Sequence, residues 1–152
     1  MLDRQELTDI IRAFEPEAEF SEGTQLLEAI VPAKKIFALT EKLKSDKKTA
    51  FNYLISQTAV DFLTHMTVVC HLESTEFRHL VVLKSKLSDR ENPAIDSITA
   101  LYPTAEYFER EIFDLFGIRF NNHPNMKRLF LEDDYGYPLR KDFRDEINII
   151  ER

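Results

Sequence analysis

Three carboxylates and one imidazole stand close together in the segment EREIFDLFGIRFNNHP, residues 109–124: Glu109, Glu111, Asp114 and His123. Carboxylates and an imidazole are the groups that enzymes use to divide proton transfer between an acid and a base. The segment could therefore belong to a small stand-alone enzyme that acts through Glu109, Glu111 and His123. It could also be a helix end, or a surface on which another protein docks.

Helix geometry separates these carboxylates. The apolar side chains of the segment form one stripe along a helix: Phe108, Ile112, Leu115 and Phe116. At about 100° per residue, Glu109 and Glu111 fall roughly 75 to 85° to opposite sides of the stripe centre. Arg110 points away from the stripe, one turn from Glu106 and from Asp114, which is typical of a solvated charge ladder. The pattern disfavours a shared catalytic centre.

Aromatic residues also stand off the stripe. Tyr107 and Phe113 lie roughly 115 to 125° from its centre, where a monomeric domain would place polar groups. A helix with aromatic side chains on two faces is usually covered on both.

Gly117 has the position of a helix C-cap in the left-handed conformation. His123, followed by Pro124, is predicted to be a hydrogen-bonding residue of a turn.

Composition excludes several classes of protein. The formal net charge of -7 argues against binding to nucleic acid or anionic lipid, which requires clustered Lys and Arg. Cys70 is the one cysteine and only three glycines occur, so neither a thiolate metal site nor a glycine-rich phosphate loop is expected. His65, His71 and His79 lack the helical spacing of a metal motif. The N-terminus lacks a secretory signal and no apolar run could span a bilayer, which predicts a cytosolic or peripheral protein.

The order of elements predicts an α+β fold. Apolar periodicity predicts a helix over residues 4–14, with Asp3 and Glu6 as a capping pair, and a second helix from Pro32 to residue 46. Strands are expected at 24–31 and 51–56, and a hairpin at 65–73 and 77–85. An extended piece around Ile98 leads to a third helix within residues 102–117. We expect helices packed on a small mixed β-sheet, with an α+β domain at 1–120 and an extended C-terminal docking segment at 121–152.

The C-terminal segment has little periodicity but many apolar and aromatic residues, which argues against disorder. Within GYPLRKDF, Arg140, Lys141 and Asp142 stand beside Leu139 and Phe143. Aromatic and Arg anchors with polar neighbours are typical of protein interfaces rather than of substrate pockets. The segment is therefore predicted to lie against another surface.

These motifs resemble a known family. Glu109-Arg110-Glu111, Asp114-Leu115-Phe116-Gly117-Ile118, His123-Pro124, Lys127-Arg128 and Pro138-Leu139-Arg140-Lys141-Asp142-Phe143 occur in this order. In order and spacing they are similar to the thirty-kilodalton subunit (the C subunit) of respiratory complex I, the proton-pumping NADH:quinone oxidoreductase. The similarity covers about residues 50–143. Tyr107 and Tyr135 stand near places where the family often has Trp.

The resemblance implies a role inside a larger enzyme. Such a subunit lies in the peripheral arm on the cytoplasmic side of the cell membrane, which it meets only through the complex. It packs on the large quinone-site (49 kDa type) subunit and on neighbouring iron–sulfur subunits. It carries no cofactor itself, whereas the complex holds NADH, FMN, iron–sulfur clusters and quinone. Related subunits occur in membrane-bound nickel–iron hydrogenases and in formate hydrogenlyase, which remain an alternative.

The residues expected to form the interface are those of the motifs and their aromatic neighbours: Tyr107, Glu109, Arg110, Glu111, Phe113, Asp114, His123, Arg128, Pro138, Leu139, Arg140, Lys141, Asp142 and Phe143. No catalytic, cofactor-binding or metal residue is expected. An adaptor for unrelated partners would use the same surface and would differ only in the proteins that co-purify with it.

Overall fold

The computed structural model of the protein describes residues 2–145. Its first helix, α1 (Arg4–Phe14), begins at a capping box, in which the Glu6 amide donates to the Asp3 carboxylate and the Asp3 amide donates to the Glu6 carboxylate. These bonds satisfy donors that have no partner within the helix. Leu7 and Ile11 are buried on its apolar face. The first predicted helix is therefore confirmed.

A short antiparallel pair and a second helix follow. Strand β1 (Glu19–Phe20) pairs with β2 (Leu27–Ile30), and β2 is shorter than the strand predicted at 24–31. A 3-10 turn (Ala33–Lys35) leads into α2 (Ile36–Ser45). The predicted apolar face of α2 is confirmed, because Ile36, Leu39 and Leu43 are buried.

Three longer strands complete the main sheet. They are β3 (Tyr53–Asp61), β4 (Met66–Glu73) and β5 (Leu80–Leu87). The strand order is β1-β2-β5-β4-β3, and β2 runs parallel to β5 while the other neighbours are antiparallel. The predicted β4–β5 hairpin is confirmed. Strand β3 continues five residues past its predicted end at residue 56, to Asp61, and also forms a hairpin with β4.

The third helix lies between two short strands. Strand β6 (Ala94–Asp96) pairs in parallel with β7 (Arg119–Asn121), and α3 (Ala105–Phe116) connects them. Gly117 ends α3 in the left-handed conformation, with φ 75°, and its amide donates to the Phe113 carbonyl. The predicted C-cap is confirmed. It reverses the chain direction sharply, which brings the following residues back toward the helix.

The core lies between the sheet and the helices. Alternate side chains of the strands, such as Leu54, Cys70 and Leu83, are buried with Ile11, Leu39 and Ile112 of the three helices. The Tyr102 hydroxyl, buried with them, donates to the Phe51 carbonyl over 2.6 Å. The α+β class with a mixed sheet is confirmed. Within residues 2–145, no helix is long and apolar enough to cross a membrane.

The chain after β7 contains no helix or strand through residue 145, but it does not extend away from the domain. It returns along the C-terminal end of α3, where the Leu139 amide donates to the Leu115 carbonyl. Residues 146–152 of the predicted docking segment lie outside the described residues.

Candidate docking site

A buried carboxylate joins α3 to the returning chain. Asp114 is completely buried and accepts hydrogen bonds from the amides of Phe130 (2.7 Å) and Leu131 (3.2 Å) on one oxygen. Its other oxygen accepts from the Arg128 guanidinium at 3.2 Å, and the same guanidinium donates to the Gly136 carbonyl at 2.8 Å. These hydrogen-bond donors replace the water that the buried Asp114 carboxylate has lost. We call residues 127–143 the C-terminal clasp.

An aromatic ring between two guanidinium groups holds the middle of the clasp. The Tyr137 ring has the Arg128 guanidinium 4.9 Å and the Arg140 guanidinium 5.0 Å from its centroid. Arg140 also donates to the Phe116 carbonyl at 2.7 Å, which is one of the carbonyls that a helix end leaves unpaired. The Phe113 ring lies 6.3 Å from that of Tyr137. The second aromatic face of α3 is therefore partly covered by the same chain.

A second ion-pair centre fixes the end of the clasp to the sheet. At the end of β3, Asp61 accepts from Arg90 at 2.6 and 2.9 Å and from the Lys141 amide at 2.9 Å. Arg90 also donates to Asp142 at 2.7 and 3.0 Å. The hydrogen bonds from Arg90 hold the pKa of the Asp61 carboxyl well below its usual range. Asp61 thus links the sheet and the clasp.

A second buried carboxylate, Glu109, organises the other side of α3. It accepts from the Ser97 hydroxyl at 2.6 Å, from the Ile98 amide at 2.9 Å and from the Gln57 amide group at 3.4 Å. Burial raises the pKa of Glu109 to about 7, although these three hydrogen bonds lower it. The residue connects α3 with β3 and with the chain that follows β6.

His123 completes the contacts of α3. Its Nδ1 accepts from the Asn125 amide at 2.9 Å, so Nε2 carries the proton and donates to the Glu106 carbonyl at 3.1 Å. The predicted role as a turn residue is confirmed. Nε2 also lies 3.9 Å from a Glu109 oxygen, but both side chains have 0% exposure. A pair without access to solvent cannot meet a substrate, so this arrangement does not support the small-enzyme hypothesis.

The outer surface of this region carries exposed apolar side chains. On the clasp, Phe130 is 72%, Leu139 51% and Tyr135 43% exposed, and Tyr107 on α3 is 61% exposed. Their backbone segments are held by the buried contacts of Asp114 and by the Leu115 carbonyl. Large apolar groups displayed on an anchored backbone are typical of a protein interface.

The residues predicted at the interface divide by burial. Those that are exposed are Tyr107, Leu139, Lys141 and Asp142. Those that are half-buried are Arg110, Glu111, Phe113, His123, Arg128, Pro138, Arg140 and Phe143. The exposure of His123 is that of its backbone, since its side chain is 0% exposed. Glu109 and Asp114 are completely buried, so their carboxylates hold this chain together and offer no surface to a partner.

The solvated charge ladder expected around Arg110 is wrong. Asp114 is engaged by Arg128 of the clasp, and Arg110 donates to the carbonyls of Lys127 and Arg128 at 3.2 and 3.0 Å. The helical projection could not show this, because the competing groups come from a distant part of the sequence. Sequence reasoning also missed Arg90, Asp61 and Gln57. Among the described residues, no group of three or more His, Cys, Asp or Glu could hold a metal ion.

Comparison with known proteins identifies the family. The model of "Respiratory-chain NADH dehydrogenase, 30 Kd subunit" matches residues 29–147. The C subunit of NADH-quinone oxidoreductase from Moorella thermoacetica is 42% identical over 132 residues, 85% of this chain and 87% of that protein. The C subunit from Roseiflexus sp. is 37% identical over 147 residues, 93% of this chain and 84% of that protein. The C/D subunit from Phocaeicola vulgatus is 41% identical over 120 residues, 78% of this chain and 23% of that protein.

A solved structure has the same fold. A chain of the membrane-bound sulfane sulfur reductase, an archaeal respiratory membrane complex, superposes with a TM-score of 0.78 at 29% identity, covering 94% of this chain and 86% of that one. The sequence relatives and this structural neighbour define a class of protein, the subunit of a respiratory oxidoreductase complex. Within that class, the chain belongs to the family of the respiratory-chain NADH dehydrogenase 30 kDa subunit.

The buried Glu109 predicts a specific pH dependence of stability. Its pKa rises from an ordinary 4.5 to about 7 on folding, so the folded state binds the proton more tightly. Its contribution to stability is complete below about pH 4.5 and is lost as the pH rises through about 7. Glu109→Gln should remove this loss, and the variant should gain up to about 3 kcal/mol over the natural protein between pH 4.5 and pH 8.

Urea unfolding at several pH values measures this difference. Glu111→Gln, at a half-buried position on the same helix, is the matched control and should keep the slope of the natural protein. A constant difference between the Glu109→Gln variant and the natural protein across this pH range would show that Glu109 does not titrate there.

The contact between Gly117 and the clasp gives a second prediction. A Cβ at Gly117 would lie 2.7 Å from the Tyr137 ring and 2.9 Å from an Arg140 nitrogen, whereas one at Gly23, which has a similar φ of 72°, would meet nothing within 4 Å. Both alanine variants lose about 1–2 kcal/mol to the left-handed backbone. Gly117→Ala should lose a further 1–3 kcal/mol or so because the clasp must move. Equal losses in urea unfolding would contradict the close packing.

Proposed function

We propose that this protein is an accessory subunit in the peripheral arm of a proton-translocating NADH:quinone oxidoreductase. It docks the large quinone-site (49 kDa type) subunit and neighbouring iron–sulfur subunits, and so supports electron transfer from NADH to quinone. The family and the relatives named as C subunits of NADH-quinone oxidoreductase support this assignment. The protein is an enzyme only as a part of that complex, and lies on the cytoplasmic side of the membrane.

The docking role rests on one observation: some side chains of the clasp hold it to its own chain, and others are left exposed to a partner. Its two half-buried guanidinium groups, those of Arg128 and Arg140, are used inside the chain, on Asp114 and on the end of α3. Its apolar side chains Phe130 and Leu139 are left exposed. Because the backbone is already held, a partner that buries these side chains pays little ordering entropy.

The cofactors of the reaction belong to other subunits in this proposal. NADH, FMN, iron–sulfur clusters and quinone are bound elsewhere in the complex, and the chain contributes contacts and positioning. Cys70, the only thiol in the sequence, is buried, and burial raises its pKa to about 12. Such a thiol is a poor metal ligand or nucleophile.

The alternative is the equivalent subunit of a membrane-bound [NiFe] hydrogenase or formate hydrogenlyase. The likeness to a chain of the sulfane sulfur reductase supports this alternative, because the same fold occurs in a respiratory complex of a different name. Affinity purification of the tagged chain from its own cells separates the two. Flavin-bearing and NADH-binding subunits in the eluate support the first proposal, and hydrogenase or formate dehydrogenase subunits support the second.

Three threonine variants test the docking role. Phe130→Thr and Leu139→Thr remove exposed side chains, so the stability of the free chain should change by less than about 0.5 kcal/mol. Each should weaken incorporation into the complex about tenfold, as expected for a loss of 1–2 kcal/mol at an interface anchor. Lys34→Thr, at an exposed position on the 3-10 turn, is the control.

Incorporation is measured as the ratio of tagged to untagged chain in the purified complex. Lys34→Thr should retain the natural ratio. If both clasp variants were incorporated at the same ratio as the natural chain, the docking role would be contradicted, even if the turnover of the complex changed.

A further inference from the structure

One face of the five-stranded sheet has no helix against it within residues 2–145. The helices pack on the face that carries Leu54, Cys70 and Leu83. On the other face, the strand register places Ile30, Lys84, Val69 and Thr58 in one row across four strands. An uncovered face is common in antiparallel sheets, but it is then usually polar.

This open face carries a shallow apolar hollow that spans strands β2, β5, β4 and β3. The hollow has a volume of about 250 Å³ and is lined in part by the apolar side chains of Ile30, Val60, Phe62 and Val69. Ile30 is 37%, Val60 39% and Phe62 49% exposed. An apolar depression of this size accepts one or two aliphatic side chains of another molecule.

The charged side chains that line the hollow are lysines, although the whole chain has a net charge of -7. Lys84 and Lys86 line it, and no acidic side chain does. Lys84 is paired with Glu28 at 2.7 Å, but no acidic side chain of residues 2–145 lies within ion-pair distance of Lys86. Lys141 of the clasp adds a cation 6.0 Å from the Phe62 ring centroid.

We propose that this face is a second docking surface, which accepts an extended segment of a partner subunit with an aliphatic side chain flanked by carboxylates. The aliphatic side chain fills the hollow, and a carboxylate pairs with Lys86. The lining of the hollow favours this occupant, because an aliphatic side chain matches its apolar residues and a neighbouring carboxylate complements the charge of Lys86.

The surface is continuous with the clasp through the contact of Lys141 with Phe62. A partner held by the exposed side chains of the clasp can therefore reach the sheet face without a long linker. The inference rests on the proposed membership of a complex, but it does not depend on which clasp residues dock.

Photo-crosslinking in the assembled complex tests the proposal. Benzoylphenylalanine replaces Val60 in the tagged chain, and the purified complex is irradiated and digested. We expect crosslinking to a peptide of another subunit that carries Asp or Glu within about three residues of the attachment point. The same probe at Ala13, an exposed position on α1, should give no crosslink to that peptide.

A charge variant tests whether the crosslink depends on the proposed ion pair with Lys86. Lys86→Glu should lower the crosslinking yield at position 60 about fivefold, whereas Lys34→Glu, at a position on the 3-10 turn away from the hollow, should leave it unchanged. If the probe at Val60 prevents assembly, the probe at Thr58 on the same face is used with the same expectation.

Three results would overturn the inference: a crosslink to this chain, within one copy or to a second copy, a crosslinked peptide without acidic residues, or no crosslink in an intact complex. The proposed function fails differently. In that case the tagged chain does not co-purify with oxidoreductase subunits, and there is no complex to irradiate.

Discussion

The buried carboxylate of Asp114 is the constraint on which the C-terminal half of this structure depends. Its two oxygens bind the Arg128 guanidinium and the amides of Phe130 and Leu131. Loss of one partner of a buried ion pair typically costs about 3–5 kcal/mol, because the other charge is left uncompensated. A segment without helix or strand therefore acquires a fixed path along α3. The exposed side chains of that segment are displayed as a result, which is what a docking surface requires.

Two of the three acidic residues of α3 that first suggested catalysis, Glu109 and Asp114, serve the same structural purpose on different sides. Glu109 joins the helix to β3 and to the chain after β6, and Asp114 joins it to the clasp. Carboxylates suit this task because each can accept several hydrogen bonds from backbone amides that a loop leaves unpaired. The helix is thus fixed from both sides, in agreement with the aromatic residues on its two faces.

Much of the fold could be predicted from the sequence, because local signals agreed with the final packing. The capping box of α1, the apolar face of α2 and the left-handed cap at Gly117 are properties of a few neighbouring residues. Strands β1, β6 and β7 have only two or three residues, which is too short for a periodic pattern. Their existence is decided by pairing with distant strands.

The candidate site was only partly predictable for the same reason, since Ser97 and Arg128, the partners of Glu109 and Asp114, come from segments outside the helix. The family motif marked residues of α3 and of the clasp, but only burial separated those that hold the chain together from those left on its surface.

The central claim is that the clasp is held by its own chain before any partner binds. Native-state hydrogen exchange of the Phe130 and Leu131 amides, in the purified chain alone, tests it most directly. The account predicts exchange at least about a hundredfold slower than in an unstructured peptide, and a loss of that protection in Asp114→Asn while the β4 amides stay protected. Exchange of both amides at the unstructured rate in the natural chain would contradict it.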